Sequence, residues 1–182
     1  NHNTDGDKEV LNAAGVKAFN KKIIAASPTV DEMAAYPKTL SGKTVTAYVN
    51  THTDLSDELY REGKLVSDNY KNILRTQTNA AAIPAEVTVR YGVTVRRANL
   101  RNLPTGEGLF FYASDRNFDA LQETALDPGE AVAILHTSTN GYFYYVQAYN
   151  YRGWLSKFDV AETDRSTWLR YAEPKNFLTV VD

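Results

Sequence analysis

Glu130-Ala131-Val132-Ala133-Ile134-Leu135-His136-Thr137, then Asn140-Gly141, then Tyr142-Phe143-Tyr144-Tyr145-Val146-Gln147-Ala148 is the stretch on which the fold turns. Both flanking runs are β-branched and aromatic, and an Asn-Gly pair between such runs is a strong short-range signal for a β-hairpin. A type I′ turn is expected there, with both turn residues at positive φ. A second reversal at Asn150 joins Tyr142–Tyr149 to Tyr151–Leu155. Three short antiparallel strands in close succession make a meander. Upstream, Val87, Val89 and Tyr91 alternate with polar residues, and Val93 and Val95 continue the pattern after Gly92. A period of two over this length predicts strands, and together with the meander it suggests a small half-open barrel. Asp159-Val160-Ala161 reads as a single turn, Ser166–Tyr171 as a short helix and Phe177–Val181 as a final strand.

The first half has a different texture. Of 21 aromatic residues, only 5 precede Tyr91. Asp7 can cap a helix running from about Lys8 to Ala26, in which Val16, Phe19, Ile23 and Ala26 share one stripe. Ser27-Pro28 stops it. Thr29 followed by Glu32 has the form of a capping box for a short helix through Ala35, which Pro37 ends. Lys43–Val49 fits helix or strand. Ser67 is the expected cap of a helix carrying Tyr70, Ile73 and Leu74, and Asn79–Pro84 begins a linker. Two halves follow: a mainly helical domain over 1–86, and a β domain with a C-terminal helix and strand over 87–182. Neither half is large enough to bury a generous core alone, so the two are expected to pack together.

Composition narrows the function. Net charge is −2, with 11 basic and 11 acidic residues in 1–90 against 9 and 11 in 91–182. Neither half is basic enough to neutralise a phosphate backbone, which argues against nucleic acid. No run of 18 apolar residues is present, so no transmembrane segment is expected. The chain begins at Asn1, which reads as a product whose targeting segment has been removed. Cysteine is absent. That excludes disulfides, thiolate metal sites and a cysteine nucleophile within this chain.

Few residues remain for chemistry. His52-Thr53-Asp54 with Asp57 and Glu58 could offer metal ligands, but acidic residues beside one His more simply mark a helix N-terminus, and no metal or other cofactor is expected. His136 lies near Ser138, without the Gly-x-Ser-x-Gly elbow of a serine hydrolase. Arg96, Arg97 and Arg101 form the one basic cluster, suited either to a carboxylate or to a solvated strand edge. In Tyr142–Gln147, alternation places Tyr142, Tyr144 and Val146 on one face and Phe143, Tyr145 and Gln147 on the other. One face fills the barrel. The other, joined by Trp154, is either an exposed recognition patch or the surface that docks on the helical half.

The ordered series Tyr91–Thr105, Phe118–Thr124, Leu126–Glu130, Leu135–Ser138, Tyr144–Gln147 and Tyr151–Leu155 resembles the first bacterial SH3-like domain of NlpC-family cell-wall peptidases. Leu59–Lys64 and Asn79–Pro84 resemble the later part of the helical segment that precedes it. The resemblance implies an α+β fold, with an N-terminal helical segment packed on a small SH3-like antiparallel β-barrel. It implies a cell-envelope protein that is periplasmic, secreted or lipid-anchored after processing. Family members cleave stem peptides between γ-D-glutamate and the diamino acid with a Cys–His pair, in a papain-like domain further along. Without cysteine, this chain corresponds to a noncatalytic region that binds or positions a peptidoglycan stem peptide or muropeptide, partnered by a downstream catalytic domain. A free-standing envelope protein-interaction module is the alternative. No catalytic residue is assigned. The expected ligand-binding residues are Phe143, Tyr145 and Trp154, with Arg101 placed by the resemblance in the loop after the first barrel strand.

Overall fold

The computed structural model describes residues 9–176. Asp7, Lys8 and the expected strand Phe177–Val181 lie outside the described residues. Among those described, the order is α1 (Ala13–Ala26), β1 (Thr39–Ser41), α2 (Gly42–Asn50), β2 (Tyr60–Arg61), β3 (Lys64–Leu65) and α3 (Asp68–Gln77). Then follow β4 (Glu86–Thr88), β5 (Arg90–Thr94), β6 (Ala98–Arg101), β7 (Gln122–Leu126), β8 (Ala131–Thr137), β9 (Phe143–Gln147), β10 (Arg152–Ser156), β11 (Val160–Thr163) and α4 (Arg165–Ala172). The class is α+β, as expected.

Seven strands form one antiparallel sheet in the order β11-β5-β8-β9-β10-β6-β7. Its two edge strands feed one core: Val160 of β11 and Leu126 of β7 pack in the same cluster as Leu100, Val132, Ile134, Val146 and Leu155. The sheet is therefore curled into a small barrel filled by aliphatic side chains. The opposite face is covered by the N-terminal half. Met33, Tyr36, Val45 and Val49 pack there on Val93, Ala133, Leu135, Tyr145, Trp154 and Trp168. Trp168 of α4 donates its indole N–H to the Val132 carbonyl at 3.1 Å. The run Val87, Val89, Tyr91 and Val93 all points into this seam, which is the period-two pattern made physical.

β4 does not join the barrel. It pairs antiparallel with β1, Leu40 opposite Val87 and Ser41 opposite Glu86, so a short ribbon crosses from one half of the chain to the other. α2 starts at once from that ribbon, with Ser41 Oγ accepting from Thr44 N at 3.1 Å. Gly42 sits where a Cβ would lie 1.9 Å from the Pro84 carbonyl oxygen, so only glycine lets the two segments approach this closely.

Several local expectations are corrected. α1 begins at Ala13 and is capped by Asn12, whose Oδ1 accepts from Gly15 N at 2.8 Å. None of its residues is buried, so the Val16/Phe19/Ile23 stripe does not face the core. Thr29 and Glu32 form no capping box; Met33–Ala35 is a single 3₁₀ turn without a side-chain cap. Val160 and Ala161 are not a turn but the start of β11, paired with Thr94 and Val93. At the hairpin, Gly141 has φ +71° while Asn140 stays at negative φ. Gly141 N donates to the Ser138 carbonyl at 2.9 Å, a type I turn completed by a left-handed glycine rather than type I′. Asn140 holds the turn with its side chain, accepting from Ser138 Oγ at 2.8 Å and Tyr142 N at 3.0 Å.

Candidate functional site

The alternation expected in β9 is present, but its outer face does not meet solvent. Val146 lies in the barrel core with Tyr144 against it. Tyr145 and Trp154 lie in the seam, 4% and 0% exposed, and their rings meet edge-on at 5.3 Å. Tyr145 donates its hydroxyl to the Tyr48 carbonyl at 2.9 Å, and burial pushes that phenol's pKa well up. Phe143 is half-buried against the same layer. Of the two readings open for this face, docking on the helical half is the one present, so Phe143, Tyr145 and Trp154, expected to bind ligand, do not form an exposed patch. The helical half supplies a complementary apolar surface, and burying the three rings there removes more apolar area from water than leaving them as a patch. Only Tyr142 of the run is well exposed, 5.9 Å from the exposed Phe158 ring.

Arg101 is also inside. It ends β6, the second strand of the curled sheet, and is 5% exposed. Its guanidinium meets Asp119 Oδ2 at 2.7 Å and donates to the Glu107 carbonyl at 2.6 Å. Asp119 Oδ1 in turn accepts from Leu109 N at 3.1 Å and Leu121 N at 3.0 Å. One buried ion pair therefore ties both ends of the long β6–β7 connection, residues 102–121, to the barrel. Leu103, Leu109 and Leu121 anchor it below, against Leu55, Leu59, Val66 and Leu74. At the side, Phe110 and Tyr60 exchange backbone hydrogen bonds of 2.7 and 2.9 Å. Arg61 and the Tyr70 hydroxyl both bind the Glu107 carboxylate, and Tyr70 first, then Arg61, hold that carboxyl below its ordinary range. The loop is long but rigidly held.

What this framework presents to solvent is the candidate site. Phe111, Tyr112 and Phe118 are exposed at the loop surface. Phe111 forms one wall of a cleft of about 210 Å³, whose other walls include His52, Asp54, Asp57 and Asn102. The Oδ1 atom of Asn102 is buried there without a hydrogen-bond partner. Its backbone is fixed by donating to the Leu121 carbonyl at 2.8 Å. Two carboxylates and an aromatic wall suit a ligand that brings N–H donors and some apolar surface. Of the residues singled out in the sequence, His52, Asp54 and Asp57 reach this cleft. Asn102 and Phe111 were not anticipated, because their role comes from a contact between segments about fifty residues apart. Among the described residues, no three His, Asp or Glu side chains gather as metal ligands.

His136 and Ser138 are engaged separately. A bulge opposite β9 follows Ile134 and turns His136 onto the seam face, opposite Tyr145. Its Nε2 lies 3.0 Å from the Asn79 carbonyl oxygen and its ring meets Trp154 edge-on at 6.3 Å. Burial lowers its pKa from 6.5. Ser138 Oγ donates to Asn140 Oδ1 and accepts from Phe143 N at 3.0 Å. Of the basic cluster, Arg96 pairs with Asp159 at 3.1 Å and Arg97 with Asp127 at 2.5 Å, both on the surface.

Residues 109–156 match the family described as SH3 domain (SH3b1 type). No curated protein matches the chain. Among solved structures, the chain is similar to a novel NlpC/P60 endopeptidase from Photobacterium damselae subsp. piscicida, with a TM-score of 0.62 and 17% sequence identity. The likeness covers 88% of this chain and 39% of that one, so the chain spans well under half the length of the endopeptidase. At that identity the likeness establishes fold, extending it from the barrel to the helical half. The chain carries an SH3b1-type bacterial SH3 domain on a scaffold like that of an NlpC/P60 endopeptidase.

Proposed function

We propose that the chain is a noncatalytic, peptidoglycan-binding or substrate-positioning region of an NlpC/P60-type cell-wall hydrolase, acting in the cell envelope. In this reading residues 1–86 form the helical part and 87–182 the SH3-like part. A catalytic domain carrying the Cys–His pair cleaves the stem peptide between γ-D-glutamate and the diamino acid. This chain has no cysteine to do so.

The observation that carries the reading is the cleft beneath the long loop of the SH3b1-type domain, lined by Asp54, Asp57 and Phe111. A stem peptide brings amide N–H groups, an amino group on its diamino acid and short aliphatic stems. The carboxylates accept from the first two, and the ring packs on the third. The ion pair beneath the loop holds this arrangement in advance, which limits the ordering cost of binding.

The test is co-sedimentation with purified peptidoglycan sacculi. Wild-type protein should pellet with sacculi. Asp57→Asn with Phe111→Ser should release it while leaving the urea midpoint unchanged, because both side chains lie at the surface of the cleft. Sedimentation unaffected by the double variant, or no sedimentation at all, would reject the reading.

A further inference from the structure

α1 stands apart from the rest of the molecule. None of its fourteen residues is buried, and Val16, Phe19 and Ile23 are 43%, 54% and 45% exposed. The chain is pinned to the barrel only just beyond the helix. The Thr29 carbonyl accepts from Gln147 Nε2 at 3.1 Å, the Pro28 carbonyl accepts from Arg152, and Asp31 N donates to the Tyr149 carbonyl at 2.8 Å. The helix is thus tethered by its C-terminal end with its own apolar stripe uncovered. A helix this short is marginal in water on propensity alone. Its amphipathic face is one that a partner surface would stabilise.

The charges say which surface. At about 100° per residue, Phe19, Ile23, Val16, Ala13 and Ile24 span an arc of roughly 140° that is interrupted only by Asn20. Lys17 and Lys21 follow on one side of that arc and Lys22 lies on the other, while the far side is Ala14, Ala18 and Ala25. Ala13–Ala26 contains three lysines and no acidic residue. Lysines flanking an apolar arc can extend their ammonium groups to a charged plane while their stems and the stripe lie beneath it. A protein partner would need a groove rimmed with acid on both sides. An anionic bilayer offers the same complementarity along the whole length of the helix.

We propose that α1 is an interfacial anchor that lays its Val16/Phe19/Ile23 stripe into the surface of an anionic phospholipid membrane, with Lys17, Lys21 and Lys22 at the headgroups. It lies on the membrane and does not cross it; among the described residues no helix is long and apolar enough to span. The tether at Pro28–Asp31 then holds the barrel at the membrane surface.

The experiment is flotation of the full chain with vesicles of phosphatidylcholine alone and of equal phosphatidylcholine and phosphatidylglycerol. Wild-type protein should bind the anionic vesicles and bind the neutral ones far more weakly. Each lysine near an anionic surface is worth about fivefold. Lys17→Gln, Lys21→Gln and Lys22→Gln combined should therefore lower partitioning onto anionic vesicles by about a hundredfold, with little change on neutral ones. Phe19→Asp with Ile23→Asp should abolish binding to both, with the thermal unfolding of the barrel unchanged. Equal binding to both vesicle types, or binding that survives either set of substitutions, would overturn the proposal. So would a failure to bind vesicles coupled with concentration-dependent dimers that the Phe19/Ile23 variant disperses, which would assign the stripe to a second copy of the chain.

Discussion

Trp154→Ala distinguishes an aromatic seam from an aromatic binding groove. Trp154 is fully buried between the sheet and the helical layer, with Tyr145 edge-on at 5.3 Å and His136 at 6.3 Å. A tryptophan side chain removes roughly 200 Å² from water, which at about 25 cal/mol per Å² gives an upper bound near 5 kcal/mol. One term works the other way. The indole Nε1–H is buried without a partner, and deleting it relieves a cost of about 1 kcal/mol or more. The net expectation is a loss of about 3–4 kcal/mol, within the usual range for a buried aromatic cut to alanine. With a urea m-value of about 2 kcal/mol/M, the midpoint should fall by roughly 1.5–2 M. Trp154→Phe keeps most of the area and removes the orphaned N–H, so its loss should stay near 1 kcal/mol. The assay is urea unfolding followed by circular dichroism, with Phe118→Ala as a surface control expected within about 0.5 kcal/mol of wild type. A midpoint for Trp154→Ala that matches the control, together with lost binding to muropeptides, would place the ring at a ligand surface and refute the reasoning.

Other consequences follow from single contacts. Gly141→Val should cost about 1–3 kcal/mol, because the φ of +71° is strained for a β-branched residue while nothing crowds a Cβ there; an unchanged unfolding midpoint would contradict the turn. Arg101→Met or Asp119→Asn alone should cost about 3–5 kcal/mol by stranding a buried partner, and the double variant should cost clearly less than the two together; strict additivity in a double-mutant cycle would refute the coupling. Burial lowers the His136 pKa from 6.5, so the unfolded chain takes up a proton that the folded one resists. The contribution of neutral His136 is whole above about pH 6.5 and is lost as pH falls below it. Urea midpoints between pH 7 and 5 should therefore drop more steeply for wild type than for His136→Gln, and parallel curves would disprove the assignment.

Local chemistry carried much of the fold. The Asn140-Gly141 reversal, the reversal at Asn150, the alternation of Val87 through Val93 and the Ser67 cap of α3 all rest on neighbours in sequence, and all are present. The I′ turn failed because Asn140 bonds to its own neighbours through its side chain and needs no positive φ. β11 went unread because its four residues include Glu162 and Thr163 and its identity comes from pairing with β5 across some seventy residues. The aromatic face is the instructive case. A period of two defines two faces, but which face is covered depends on Met33, Tyr36, Val45 and Val49 arriving from the other half of the chain. The α1 stripe errs in the opposite sense, since an amphipathic pattern looks the same whether or not a partner is present. Arg101 was singled out for its charge, and its pairing with Asp119 across a loop has no local signature. The cleft has none either, because His52 and Asp57 meet Phe111 only once that loop is pinned.

The most direct measurement is an amide ¹H–¹⁵N titration of the full chain with a soluble stem peptide ending in the diamino acid. Shifts should gather on residues 51–57, on Asn102 and on Phe111 and Ala120, leaving the amides of Tyr145 and Trp154 in place. Saturable shifts confined to the surface around Tyr142, Lys157 and Phe158, or no shifts at millimolar peptide, would contradict the account.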